Sequence, residues 1–206
     1  MINKKQQFEQ REQSILAAAE QLLLESGEGN LTLDSLACHL DLAKGTLYKH
    51  FASKDELLLQ IIIEHEKRLF CMNNVDDGAA AGIVRMVLQQ LRLPVRAMIF
   101  NHIEERLASV SSRLHTQFKE LYRIRRKRMT RLSVIAQQYL DEQHSSMTVK
   151  DYMSSIWAVG QGGAGLLNSS FYQRYLGDRD ALEYTWVDQI LSLPRLYPKV
   201  DDDALA

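Results

Sequence analysis

Thr32-Leu-Asp-Ser-Leu-Ala-Cys-His-Leu-Asp-Leu-Ala-Lys-Gly-Thr-Leu-Tyr-Lys-His-Phe51 holds two short amphipathic runs on either side of a three-residue connection. In the first run Leu33, Leu36, Ala37 and Leu40 recur at three- and four-residue steps, so they share one face of a helix. Thr32 stands where a side-chain oxygen can cap the first N–H groups. In the second run Leu47 and Phe51 are four residues apart and can anchor a helix from Lys44 to Phe51. Lys44, Tyr48 and Lys49 then project on other sides. Asp41-Leu42-Ala43 leaves room only for a tight turn, and two short helices across such a turn predict a helix-turn-helix.

Working outward, Ile15, Leu16, Ala19, Leu22 and Leu23 mark a preceding helix from about Gln7 to Ser26, ended by Gly27 and Gly29. Ser53 is a plausible cap for a following helix to about Phe70, with Asp55 and Glu56 in its first turn where the helix dipole favours them. Asn73–Gly78 reads as a loop. Helical periodicity resumes over about 79–92, 94–109, 113–142, 148–175 and 179–192, with Pro94 at a first turn. The tail from Pro194, with Asp201-Asp202-Asp203, is expected to be mobile and solvated. The fold expected is all-α: a three-helix helix-turn-helix domain at 1–54 and a helical ligand-binding and dimerisation domain at 55–206.

Composition narrows the function classes. The chain has 206 residues, 46% of them hydrophobic, with a formal net charge of −1. Bulk charge therefore gives no sign of nucleic acid, and any such case must come from local patterning. The N-terminus has no apolar signal segment and no apolar run is long enough to span a bilayer, so a cytoplasmic protein without membrane attachment is expected. Cys38 and Cys71 lack metal-ligand spacing, and Cys38 is expected within a buried helix face as a reduced core cysteine. Scattered histidines, no nucleophile motif and no carboxylate metal set argue against an enzyme, a cofactor or a metal.

Local charge does point somewhere. Residues 42–54 contain Lys44, Lys49, Lys54 and His50 and no carboxylate. Residues 1–56 as a whole carry six Lys/Arg against nine Asp/Glu, so the positive charge is confined to one small face. Such a face can neutralise phosphates within an acidic domain. Gly45 costs a helix about 1 kcal/mol relative to alanine, a cost that close approach of backbone to DNA would explain.

Gly29-Asn-Leu-Thr32-Leu-Asp-Ser-Leu36-Ala37-Cys-His-Leu40, then Lys44-Gly-Thr-Leu-Tyr48-Lys-His50-Phe51, then Lys54-Asp-Glu-Leu57-Leu58 resembles the DNA-binding domain of the TetR family over roughly residues 10–60. The resemblance implies a ligand-responsive regulator, by family habit a repressor, that binds double-stranded operator DNA as a homodimer and is released by a small-molecule effector. By position it implies that Lys44, Gly45 and Tyr48 face base edges, and that Thr32, Thr46, Lys49, His50 and Lys54 face phosphates. Two positions depart from the family pattern. Asp41 stands where a glycine is common, and Ala43 where a serine or threonine caps the helix, although Asp41 could cap a helix that began early.

The remaining residues resemble the family only in helical character and length. Phe70, Met72, Met86, Met98, Phe100, Phe118, Tyr122 and Trp157 could line an effector cavity, though plain core is the commoner fate of such residues. From Arg113 to Arg131 there are eight Lys/Arg and one acid, Glu120. A helical wheel puts Lys119, Arg123, Arg126, Lys127 and Arg131 outside, and Arg125 and Arg128 among the apolar positions. Buried arginines need partners. Glu104 and Glu105 are the candidates, with an acidic, amphipathic effector as the alternative. The effector-site residues chosen are Met98, His102, Tyr122, Arg125, Arg128 and Trp157. Gly160, Gly162, Gly163 and Gly165 weaken a helix and call for close helix approach, at a dimer interface or under a pocket roof, or for a local break. With Leu182, Trp186 and Ile190 of the last helix, this region is the expected dimer bundle.

Overall fold

The computed structural model describes residues 3–72, 78–110, 112–175 and 177–199. Among these are α1 (Lys4–Ser26), α2 (Leu33–His39), α3 (Lys44–His50), α4 (Lys54–Met72), α5 (Ala79–Leu91), α6 (Pro94–Val110), α7 (His115–Glu142), α8 (Val149–Asn168) and α9 (Arg179–Ser192). No strand is present among the described residues, so the fold is all-α as expected. The expected loop at 73–78 lies outside the described residues except for Gly78, which precedes α5.

The chain forms two compact units, one of residues 1–68 and 99–125, the other of 69–98 and 126–206. In the first, the apolar stripes of the three N-terminal helices meet. Ile15, Leu16, Ala19 and Leu23 of α1, Leu33, Leu36 and Ala37 of α2, and Leu47 of α3 are all buried. Each short helix is closed locally. Thr32 caps α2 by accepting from the Ser35 N–H at 2.9 Å, while the Ser35 hydroxyl accepts from the Thr32 N–H. Ala43 begins α3 with no side-chain cap, so Asp41 does not act as one. Asp41 instead takes φ 51°, the left-handed conformation that glycine adopts more easily.

In the second unit Ile83, Met86, Val87 and Leu91 of α5 pack with Leu132, Ile135, Ala136 and Tyr139 of α7, Tyr152 and Ile156 of α8, and Ile190 of α9. Tyr139 and Tyr152 stack with ring centres 6.0 Å apart, and their hydroxyls donate to the carbonyls of Leu191 and Ile190. Burial pushes both phenols above the ordinary tyrosine range, so they stay protonated as donors. α8 runs unbroken through its glycines. A Cβ on Gly163 would lie 2.5 Å from Leu91 Cδ2 and 3.0 Å from the Trp186 ring, and one on Gly160 would collide with Gln90. Gly162 and Gly165 face open space.

Three expectations change. α8 ends at Asn168 rather than near 175, because Ser169 leaves the helical conformation and a short 3-10 turn follows at Tyr172–Arg174. The segment after α9 is tied down as far as Lys199. Pro194 is buried, the Ser145 hydroxyl donates to the carbonyls of Pro194 and Tyr197, and the Lys199 N–H donates to the His144 carbonyl. The acidic residues 201–203 lie outside the described residues. Cys38 is exposed, as is Cys71, because the inward face of α2 is filled by Leu33, Leu36 and Ala37. It is not a core cysteine.

Candidate nucleic-acid interface

α3 is seven residues long and is held by one apolar edge. Leu47 is fully buried and Phe51, just beyond the helix, is 2% exposed. Seven residues cannot sustain a helix in isolation, so this packing decides its direction. The opposite side carries Lys44, Gly45, Tyr48 and Lys49, all exposed, with Tyr48 at 54%. A Cβ built on Gly45 meets nothing within 4 Å, and its φ lies outside the left-handed region. Neither the chain's packing nor its backbone therefore requires glycine there.

The remaining predicted contacts divide. Lys44 Nζ reaches Asp34 Oδ2 of α2 at 2.6 Å, and the hydrogen bond and charge of that carboxylate hold the ammonium above its ordinary range. Thr46 is half-buried and Thr32 is exposed, its hydroxyl already engaged as the α2 cap. Lys54 donates to the Glu28 carbonyl in the α1–α2 connection. His50 is turned inward, away from the open face that carries Lys44, Tyr48 and Lys49. Its side chain is 2% exposed, stacked on Phe8 with centroids 3.9 Å apart, and its Nδ1 lies 3.3 Å from Glu12 Oε2.

The effector-site candidates fall in both units: His102, Tyr122 and Arg125 in the first, Met98, Arg128 and Trp157 in the second. Arg125 makes two short bonds to Glu104, at 2.6 and 2.8 Å, and two longer ones to Glu66. Burial works against its charge, but the hydrogen bonds and charges of Glu104 and Glu66 outweigh it and hold the guanidinium above its usual range. Glu104 was among the expected partners. Glu66, 5% exposed on α4, was missed, and its signal was its place four residues after Ile62 and three after Ile63, on the face they bury. Arg128 is buried as the helical wheel required, whereas Arg131 is not a plain outer cation, since it lies 4.0 Å over the Phe70 ring. Met98, Tyr122 and Trp157 are substantially exposed. In the second unit a groove of about 640 Å³ runs between Val84, Leu88 and Arg92 on one side and Arg179, Glu183, Tyr184 and Val187 on the other. None of the six candidates lines it.

A short helix seated across a tight turn, with an open face of lysine, glycine and tyrosine, defines a helix-turn-helix protein. Residues 15–61 match the family model of bacterial regulatory proteins of the tetR family. No curated protein matches the sequence. Among solved structures, a bacterial regulatory protein in the tetR family from Rhodococcus aligns at TM-score 0.65 and 20% identity, over 92% of this chain and 98% of that one. A TetR-family transcriptional regulator from Marinobacter aquaeolei aligns at TM-score 0.60 and 19% identity, over 91% and 98%. The fatty acid degradation regulator FadR from Bacillus halodurans aligns at 0.59 and 14%, over 88% and 94%. Residues 15–61 are thus similar to the N-terminal segment of that family, and the chain shares its fold with these regulators along nearly its whole length. No helix among the described residues is long and apolar enough to cross a membrane.

Proposed function

We propose that this chain is a ligand-responsive transcriptional repressor that binds a near-palindromic operator as a homodimer, with residues 1–54 reading DNA and residues 55–206 binding the effector and the second copy. The observation that carries the reading is the open face of α3. Lys44 and Tyr48 are the base-reading side chains, and Lys49 binds phosphate. Gly45 lets the helix backbone approach, which gives a reason for a glycine that the chain's own packing leaves unexplained. Two such helices would enter successive major grooves about 34 Å apart. An effector that favours another spacing would release the DNA by shifting the population. Dimerisation through α8 and α9 is supported by the open faces of Gly162 and Gly165 and by exposed Phe171, Tyr175 and Tyr184. Arg125 belongs to an internal ion cluster in this reading, so Arg125→Ala leaves effector affinity unchanged wherever the variant folds.

Selection of bound fragments from genomic DNA supplies the operator, and gel-shift titrations then test the face. Tyr48→Ala and Lys44→Ala should change sequence preference. Lys49→Ala should weaken binding on every sequence and reduce the salt slope by about 1. Failure to enrich any fragment, or equal affinity and salt slope for all variants and the parent, would sink the proposal.

A further inference from the structure

His50 is the last residue of α3, and its surroundings come from the far end of the chain's first helix. Phe8 and Glu12 are four residues apart on α1, two turns and one turn ahead of the buried Ile15–Leu16 pair, so they continue that helix face beyond the core, where Phe8 keeps 46% exposure. Glu12 puts a carboxylate where the stripe would otherwise continue apolar. It meets His50 Nδ1 at 3.3 Å, and Phe8 lies against the imidazole face at an interplanar angle of 22°. An ionised carboxylate only accepts, so Nδ1 carries the hydrogen of this bond. In the neutral ring Nε2 is then an acceptor and has no hydrogen to offer a phosphate. The other charged groups nearby in sequence are Lys49 on α3, Glu9 and Arg11 on α1, and Lys54, Asp55 and Glu56 at the start of α4, where Asp55 accepts from Arg106. Lys54 is bonded to the Glu28 carbonyl and Glu56 to the Ala52 N–H.

We infer that Phe8 and Glu12 clasp the His50 ring and fix the C-terminal end of the recognition helix, making His50 a positioning residue rather than a phosphate ligand. α3 has no side-chain cap at Ala43, and its anchors are Leu47, Phe51 and this clasp. Phe8 and Glu12 lie outside residues 15–61, the segment that matches the family model. The start of α1 thereby governs the reading helix without belonging to that segment. The geometry of the clasp stands alone, whereas its effect on operator affinity rests on the DNA-binding reading above.

The test uses the full chain and two measurements. Backbone hydrogen exchange in Glu12→Ala and Phe8→Ala should run at least five-fold faster across α3, with α2 unchanged. Unaltered α3 exchange overturns the clasp whether or not DNA is bound. Operator affinity is the second measurement. Glu12→Ala removes a negative charge from the DNA-binding unit, so long-range electrostatics alone would tighten binding. The clasp demands weaker binding, by about five-fold or more, and tighter or equal binding overturns its role in DNA reading.

Paired substitutions separate the two ring nitrogens. His50→Asn keeps an amide donor near the Nδ1 position and should retain most of the affinity. His50→Gln places its amide near Nε2 and should lose it. The reverse order would return His50 to the phosphates. A parent protein that binds no DNA fragment refutes the DNA-binding reading, while the exchange measurement still decides the clasp.

Discussion

Gly45 in α3 and Gly163 in α8 both sit inside helices, where each costs about 1 kcal/mol relative to alanine. Their surroundings are opposite. Leu91 and Trp186 fill the space into which a Gly163 side chain would grow, whereas nothing lies within 4 Å of the same position on Gly45. In α8 the glycine is a condition of the chain's own packing, because it lets α5 and α9 come close. In α3 no internal condition exists, and the explanation has to come from outside the chain. A glycine is thus evidence of an absent partner only after its own neighbours have been checked.

The contrast can be broken most sharply at Gly163. Gly163→Val should destabilise by about 2–3 kcal/mol through overpacking, seen as a fall in Tm at about 2–4 °C per kcal/mol for a chain of this size. An unchanged Tm would mean that α8 has slack. Gly45→Ala should do the opposite to stability, adding up to about 1 kcal/mol, while lowering operator affinity at least ten-fold, or about 1.4 kcal/mol. Retained affinity would leave Gly45 without any explanation. Tyr152→Phe tests the other tie between α8 and α9, the bond to the Ile190 carbonyl, and should cost about 1 kcal/mol in denaturant unfolding. The smallest effect is expected at the turn before α3. Asp41→Gly relieves the left-handed backbone and should stabilise by about 0.5 kcal/mol.

Helix positions were legible because apolar spacing records which face is buried. α3 and α9 begin where their residues predict, and Arg125 and Arg128 fall inside as the helical wheel placed them. Spacing says less about partners distant in sequence. Nothing local to His50 shows that Phe8 and Glu12 will reach it, and local charge together with the resemblance assigned it to DNA. Glu66 was missed for a related reason, since partners for Arg125 were sought only on the helix before it. Cys38 shows a different limit. A small sulfur-bearing residue next to Ala37 looks apolar enough to be inside, but one step along a helix turns it about 100° toward solvent. The segment after Pro194 looked free because the ties to Ser145, Ser146 and His144 use its backbone carbonyls and N–H, which any residue can supply and no composition announces.

Those ties set practical terms for handling the protein. A purification handle appended after Lys199 leaves the hydrogen bonds at Ser145, Ser146 and His144 in place. A chain cut back to Ser192 removes the carbonyls of Pro194 and Tyr197, and the Ser145 hydroxyl, buried beneath them, loses both of its acceptors. A trimmed variant made for crystallisation would therefore loosen the corner between α7 and α8, and its melting behaviour would describe the trimming rather than the native fold.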